Sequence, residues 1–259
     1  MNSVLWKRPP AKLSILRSEL HVWRIDLNNV NYLPNDLSSL LSSEEIKRME
    51  HFKFERDQHR YQVTHSMKRL ILANYLACDP QCLFFDVGSY GKPSLASLQN
   101  SFNIQFNLSH SHHLILLAVT LEDSIGIDIE YCNKKFSIEG LSEIIFSPHE
   151  KLFFSALNYE EEKKEVFFRC WTRKEAYLKA IGMGLTQDIT NISVDLNKEV
   201  SPDNWLKTST LSPLEIMEWK LFPLDIDNYY MANAVTSSFQ KNLFCYNANE
   251  QLYMRYKLF

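Results

Sequence analysis

The five cysteines of this 259-residue chain include no CxxC pair. An odd count without that spacing argues against a disulfide framework and against a zinc ribbon, and a reducing, cytoplasmic location fits best. The opening segment MNSVLWKRPP has no apolar core of the kind that a signal peptide carries. No apolar run approaches the ~20 residues that a membrane-spanning helix needs. Secretion and membrane insertion are therefore not expected.

The chain also lacks an excess of positive charge, since its formal net charge is -3 at pH 7. A general nucleic-acid binder would carry a broad basic field, so nucleic acid is not an expected partner and any anionic ligand must be held by local groups. Hydrophobic residues make up 45% and charged residues 23%, which are ordinary values for a folded globular protein. The length suits one large domain or two small ones.

The first half of the chain shows an ordered series of elements. Apolar spacing predicts helix from Leu40 to Leu76, with a serine cap and early acids in SSEEIKRM. A short strand, CLFFDV, and a turn, GSYGKP, follow. FNIQFNLS and LILLAVT flank the polar SHSHH as a hairpin, and the strand GIDIE comes next.

The second half repeats this order. A helix through EVFFRCWTRKEAYLKAIG is followed by the loop GMGLTQD, the strand ITNISVDL, and a hairpin of EWKLFPLD and YYMANAVT. Both hairpins end in AVT, at Thr120 and Thr236. The sequence therefore predicts an α+β fold of two similar lobes, residues 1–121 and residues 122–259 with a C-terminal tail, related by a pseudo-twofold axis with a ligand cleft between them.

Two carboxylates in GIDIE stand two residues apart. Side chains at that spacing point to the same face of a strand, so Asp128 and Glu130 project together, away from Ile127 and Ile129. A pair of oxygen ligands on a rigid strand suits Mg²⁺. The alternative is a solvated strand face that merely carries two acids.

The helix WTRKEAYLK places Trp171, Glu175 and Lys179 on one face, with Lys174 beside it. From spacing alone, Glu175 and Lys179 could equally form an exposed helix pair, and Trp171 could be a core residue. Ser109 and His110, in FNLSHSHH, are predicted at a hairpin tip, where they could donate to a phosphate. Three nearby histidines raise the question of zinc, but their spacing matches no common ligand pattern.

Five segments together resemble the surfactin-synthetase-activating (Sfp-type) 4′-phosphopantetheinyl transferases. They are YGKP, FNLSHS, GIDIE, FSPHE and WTRKEAYLK, in the same order and spacing, over a stretch from about Ser42 to Asp195. The chain departs from the family at Glu45 and Glu50, where lysines are frequent, and at His112, which replaces a small residue.

The resemblance implies an enzyme that moves the phosphopantetheine arm of coenzyme A to a serine of an apo acyl or peptidyl carrier protein and releases adenosine 3′,5′-bisphosphate. Asp128, Glu130 and Glu175 would hold Mg²⁺ on the pyrophosphate. Glu175 would accept the serine proton, and Lys179 would contact the transferred phosphate. A carrier helix would dock beside GMGLTQD, and the enzyme would act as a monomer.

The same resemblance assigns the remaining coenzyme A contacts. Ser109 and His110 would meet its phosphates, Arg60 and Arg48 its 3′-phosphate, and Lys92 would line the adenine pocket. Two alternatives remain open from the residues themselves. One is an Mg²⁺-dependent nucleotide pyrophosphate hydrolase, and the other is a non-catalytic module that binds carrier protein or coenzyme A.

Overall fold

The computed structural model describes residues 5–30, 37–132, 137–138, 140–184, 188–208, 213–237 and 241–248. Its helices are α1 (Ser43–Glu50), α2 (Glu55–Leu76), α3 (Leu141–Ile145), α4 (Pro148–Ser155), α5 (Glu160–Ile181) and α6 (Pro213–Glu218). Its strands are β1 (Trp6–Lys7), β2 (Glu19–Asp26), β3 (Phe85–Val87), β4 (Pro93–Leu95), β5 (Ile104–Ser111), β6 (Leu114–Leu121), β7 (Ile125–Tyr131), β8 (Ser193–Val194), β9 (Leu206–Thr208), β10 (Lys220–Leu224), β11 (Tyr230–Thr236) and β12 (Asn242–Asn247). No helix in these ranges is both long and apolar enough to cross a membrane.

Two main sheets form the centre of the molecule. One has the order β1-β12-β2-β6-β5 and the other β10-β11-β7, while β3–β4 and β8–β9 form small hairpins. Fully buried side chains such as Leu20, Leu116 and Ile127 fill the space between the two sheets. Helix α2 packs on the outer face of the larger sheet and α5 on the outer face of the smaller one. The result is a layered helix, sheet, sheet, helix arrangement.

The helical stretch predicted from Leu40 to Leu76 forms two helices, since α1 ends at Glu50 and α2 begins at Glu55. The side chain of Glu45 on α1 pairs with Lys68 and Arg69 on α2. Residues so far apart in sequence would stand roughly 35 Å apart along one straight helix. The chain therefore has to fold back between the two helices.

The two lobes repeat the same plan, as predicted. Helices α2 and α5 have 22 residues each and end at left-handed residues, Ala77 and Gly182. Short helices with serine capping boxes, α1 and α4, precede them. The ion pairs of Arg69 with Glu45 and of Lys174 with Glu150 fall at equivalent positions, at a constant offset along the chain. The α+β pseudo-twofold fold is therefore confirmed.

Two local features differ from expectation. The predicted strand ITNISVDL contains only β8, because Asp188 caps the amide of Thr190 at 3.0 Å and starts a 3₁₀ turn over Ile189–Asn191. The strand β12, which lies beyond residue 122, inserts between β1 and β2 and pairs parallel to both. The C-terminal part of the chain thus completes the sheet of the first lobe.

Candidate active site

Strand β7 separates apolar from polar side chains on its two faces. Ile127 and Ile129 are fully buried between the sheets, whereas Asp128 and Glu130 face α5, as the alternation predicts. Asp128 is 3% exposed, so the solvated-strand alternative is wrong. A carboxylate buried this deeply needs a specific partner.

Gly126 lets the helix α5 lie directly on β7. A Cβ at this position would stand 1.9 Å from the carbonyl oxygen of Ala176 and 2.4 Å from the amide nitrogen of Ala180. Only glycine permits such a close approach of strand and helix. Because of it, Lys179, which directly precedes Ala180 on α5, reaches the carboxylate of Asp128.

Asp128 joins groups from both lobes. Its Oδ1 accepts hydrogen bonds from Ser109 Oγ at 2.9 Å and from Lys179 Nζ at 2.5 Å. Burial raises the pKa of Asp128 to about 6, against the opposing charge of Lys179, with Glu130 adding to the rise. Its Oδ2 is buried and has no hydrogen-bond partner among the described residues.

Glu130 is held by two neutral donors. Ser111 Oγ donates to Oε2 at 3.0 Å, and the indole Nε1 of Trp171 donates to Oε1 at 3.1 Å. Ser111 and Trp171 therefore fix the orientation of this carboxylate. Sequence reasoning assigned no role to Ser111, although its spacing from Ser109 places both on one face of β5.

Glu175 stands next to these acids without joining Lys179 in a surface pair. Burial raises the pKa of Glu175 to about 7, the negative charges of Asp128 and Glu130 contribute, and Lys179 opposes the rise. Its Oε1 is buried and finds no hydrogen-bond partner in the part of the chain that the structure describes. Since Lys179 bonds Asp128 and Ser109, the exposed-pair alternative is wrong.

The first lobe contacts β7 through alternate side chains of β5. Asn107 Oδ1 accepts from the amide of Ile127 at 3.0 Å, and Ser111 Oγ accepts from the amide of Tyr131 at 2.9 Å. Ser109 lies between them and bonds Asp128. We call this line of side chains and strand the seam. The alternation in FNLSHS is therefore what joins the two lobes at the site.

The prediction that Ser109 and His110 lie at a hairpin tip is wrong. Both residues lie inside β5, where they pair with Leu116 and Ile115 of β6. The turn is made by His112 and His113 instead, because Ser111 still pairs with Leu114. His112 takes a positive φ of 52° there. The strand continues because its alternate polar side chains are satisfied along the seam.

The basic residues predicted to contact coenzyme A have different neighbours in the structure. His110 is exposed, and partial desolvation together with the charges of Arg60 and Lys179 lowers its pKa. Arg60 donates to Asp57 Oδ1 at 2.9 Å. Arg48 is exposed on α1, within electrostatic reach of Tyr61 and His65. The structure thus groups Arg60 with His110, and Arg48 with Tyr61 and His65.

Lys92 bonds the second lobe. Its Nζ donates to the carbonyl oxygens of Ile125 and Ala180, both at 2.9 Å. Burial lowers the pKa of Lys92 to about 8.

The FSPHE segment builds the support under α5. Ser147 caps α4, and Glu150 accepts from the amide of Val194 at 2.7 Å and pairs with Lys174 at 2.7 Å. Both charged side chains are fully buried, and Lys174 also donates to the carbonyl of Ile145. This motif therefore fixes the position of α5 and does not reach the carboxylate cluster.

The donor set suits a hard divalent cation. Two buried carboxylate oxygens lack partners among the described residues, and burial, followed by the neighbouring negative charge, raises the pKa of both Asp128 and Glu175. A cation with oxygen ligands would satisfy those atoms. Within the described ranges, no three His, Cys, Asp or Glu side chains already stand in a ready metal-binding group.

Two family models match most of this chain. A family model described as the 4′-phosphopantetheinyl transferase superfamily matches residues 124–234, and one described as 4′-phosphopantetheinyl transferase, N-terminal, matches residues 34–122. The 4′-phosphopantetheinyl transferase HetI of Nostoc sp. (strain PCC 7120) is 39% identical over 182 residues, which cover 70% of this chain and 76% of HetI. The chain belongs to the 4′-phosphopantetheinyl transferase superfamily.

Two further relatives share less identity with this transferase. The transferase Sfp of Bacillus subtilis (strain 168) is 29% identical over 161 residues, covering 62% of this chain and 69% of Sfp. The L-aminoadipate-semialdehyde dehydrogenase-phosphopantetheinyl transferase of Mus musculus is 29% identical over 204 residues, covering 73% of this chain and 65% of its own length. The transferase is therefore an enzyme of the Sfp type, as the sequence motifs indicated.

Part of the loop predicted to dock a carrier helix, residues 185–187, lies outside the described residues.

Proposed function

We propose that this transferase moves the phosphopantetheine arm of coenzyme A to a serine of an apo acyl or peptidyl carrier protein, with Mg²⁺ as cofactor, and releases adenosine 3′,5′-bisphosphate. The observation that supports this best is the buried Asp128, which bonds Ser109 of one lobe and Lys179 of the other. Glu175 lies beside it with an oxygen that has no hydrogen-bond partner among the described residues. The site therefore combines acids and a cation where side chains of the two lobes meet.

The unpartnered oxygens of Asp128 and Glu175 support a cation in this site, and Glu130 would complete the set of ligands. When bound, Mg²⁺ would neutralise charge on the pyrophosphate oxygens and align them. In the metal-free protein, Lys179 is the cation next to Asp128. Trp171 and Ser111 would keep Glu130 in place.

The residues of the chain account for the proton and the charge. The serine oxygen of the carrier forms a bond to the phosphorus that carries the pantetheine arm, and the bond from that phosphorus to the adenosine bisphosphate oxygen breaks. Glu175 accepts the serine proton, and Lys179 donates to an oxygen of the transferred phosphate. Alignment of these groups matters more than covalent catalysis in such a displacement.

Coenzyme A would lie across the seam. Ser109 and His110 would donate to its phosphates, and Arg60 and Arg48 would face the 3′-phosphate. Their grouping supports this, since Arg60 lies near His110. Lys92 would border the adenine pocket from its turn. Because both lobes of one chain supply the site, a monomer would suffice, and the cytoplasm would be its location.

Intact-mass analysis tests the proposal. Apo acyl and apo peptidyl carrier domains are incubated with the transferase and coenzyme A, with Mg²⁺ or with a chelator. We expect a carrier to gain one phosphopantetheine only with Mg²⁺, together with release of adenosine 3′,5′-bisphosphate. The isosteric variant Asp128→Asn serves as the matched control and should leave the carrier unmodified. Free phosphopantetheine formed without carrier would instead indicate a hydrolase, and binding without turnover a non-catalytic module.

A further inference from the structure

Lys92 lies outside the seam, and its side chain reaches the backbone of both catalytic elements of the second lobe. Its amine bonds the carbonyl of Ile125, the first residue of β7, and that of Ala180, in the last turn of α5. β7 carries Asp128, and α5 carries Glu175 and Lys179. One side chain of the first lobe therefore connects the strand and the helix whose side chains meet in the site.

The end of α5 needs such a donor. The last carbonyls of a helix have no partner within the helix, and they attract cations. The amides of Gly182 and Met183 both bond Leu178, at 3.0 and 3.3 Å, which leaves Ala180 to Lys92. Lys179, whose Nζ bonds Asp128, directly precedes Ala180. Fixing that carbonyl therefore fixes the backbone from which Lys179 extends.

The turn that presents Lys92 is itself held in place. The amide of Gly88 bonds the carbonyl of Lys92 at 2.9 Å, and the amide of Gly91 bonds Gly88 at 2.9 Å. Gly91 has a φ of 84°, which glycine adopts without strain. The stem of Lys92 also lies against Gly182, where a Cβ would stand 3.4 Å from its Cδ. The lowered pKa of Lys92 agrees with an amine withdrawn from water by these contacts.

We propose that Lys92 is a positioning residue, which holds the end of α5 against the start of β7 and so sets the distance between their catalytic side chains. This inference rests on the proposed function for its kinetic consequences. A positioning role for Lys92 and a role in the adenine pocket predict different kinetic effects. A contact to a non-reacting part of coenzyme A supplies uniform binding and affects KM, whereas misplaced catalytic groups lower kcat.

The kinetic test uses Lys92→Met, which keeps the stem and removes the donor. We expect kcat to fall by roughly 10–100-fold, while KM for coenzyme A stays within about twofold. Lys92→Arg keeps a charged donor and should recover most of the lost kcat. Lys207→Met is the matched control, because Lys207 also donates to a carbonyl, that of Asn204 at 2.8 Å, but within the second lobe. It should retain the wild-type kcat.

Hydrogen exchange of the substrate-free protein provides a readout that needs no activity. In Lys92→Met, the amides of Gly182 and Met183 should lose protection while the amides of β6 keep theirs. Unchanged protection at the end of α5, a raised KM at wild-type kcat, or an equal loss of kcat in Lys207→Met would each overturn the inference. An inactive wild type would instead refute the proposed function, and the exchange measurement would still decide whether Lys92 fixes α5.

Discussion

At the scale of single residues, Glu175 is placed where its charge is costly. It is removed from water, stands near two other acids, and has an oxygen without a partner among the described residues. Buried polar groups without partners usually destabilise a protein. Such a group is retained where a ligand or a reaction uses it, and stability is then lost in exchange for function.

Glu175→Gln should separate the effect of Glu175 on stability from its effect on the reaction. The amide keeps the shape but loses the anionic oxygen and the proton acceptor, so transfer should slow by roughly 10²–10⁴-fold. In the metal-free protein, stability should not fall. The raised pKa of Glu175 means that its favourable contribution is present below about pH 4.5 and is lost as the pH rises through about 7. The glutamine does not undergo this loss.

Melting temperatures between pH 5 and 8 and single-turnover transfer are measured on one preparation. Glu165→Gln is the control on the same helix, since Glu165 pairs with Arg169 in a partly exposed position. It should transfer at the wild-type rate. A normal rate in folded Glu175→Gln would remove this residue from the reaction.

At the scale of elements, the site depends on how closely α5 approaches β7. Gly126 lies directly against α5, and all three nearest atoms that a Cβ would meet there, in Ala176 and Ala180, belong to the backbone. A backbone cannot move aside as the end of a flexible side chain can. The glycine of GIDIE is therefore required for packing. Without it, the two acids that follow it could not lie against α5.

Gly126→Ala should separate the strand from the helix. Overpacking of this kind typically costs ~1–3 kcal/mol of unfolding free energy, and transfer should fall as Asp128 moves away from α5. Chemical denaturation measures the first effect and the carrier assay the second. Gly88→Ala is the control for stability, because its Cβ would meet only the carbonyl of Lys92, at 3.4 Å. Equal stability of the two variants would contradict the close contact.

The helices and strands near the site were largely predictable from the sequence, whereas the contacts between them were not. Alternation in GIDIE and four-residue spacing in WTRKEAYLK predicted the facing acids and the helical face, because both periodicities are local. The partner of Lys92 and the bond from Trp171 to Glu130 join distant segments, which no local pattern encodes. The same holds for the fold between α1 and α2, since the contact of Glu45 that requires it is not local.

At the scale of the whole molecule, the two lobes share a framework, but only the second lobe carries the acids of the site. Leu20 pairs with Thr120 in the first lobe as Ile125 pairs with Thr236 in the second, so Trp23 occupies the position equivalent to Asp128. Trp23 is fully buried in the apolar core of its lobe. The first lobe thus contributes the seam side chains and the second contributes the acids.

The two-lobe organisation was visible in the sequence, but the closure of the molecule was not. Repeated order and the shared AVT tripeptide indicated a duplication, which the equivalent strand registers confirm. Strand β12 pairs with β2 across almost the whole chain. The hydrophobic pattern of a strand can indicate that it is a strand, but it does not indicate which distant strand it pairs with. This is why the completion of the first sheet by the last strand could only be seen in three dimensions.

The framework ion pair of the first lobe should give the molecule an acid-sensitive stability. Burial would raise the pKa of Glu45, but the hydrogen bond from His65 and the charges of Lys68 and Arg69 hold it well below its ordinary value of 4.5. Its contribution to stability is therefore present above about pH 4.5 and is lost progressively as the pH falls below that value.

Glu45→Gln should lower the unfolding free energy at pH 7 by ~3–5 kcal/mol, because it leaves two buried cations without their counter-charge. The side chains of Lys68 and Arg69 are only 7% and 3% exposed, so water cannot replace the carboxylate. The difference from wild type should narrow below about pH 4.5, since the unfolded wild-type glutamate takes up a proton there and the glutamine does not. Denaturation at pH 7, 5 and 4 measures this, with Glu44→Gln, an exposed neighbour on α1, as the control. A difference that stays constant down to pH 4 would show that the glutamate acts by its shape and not by its charge.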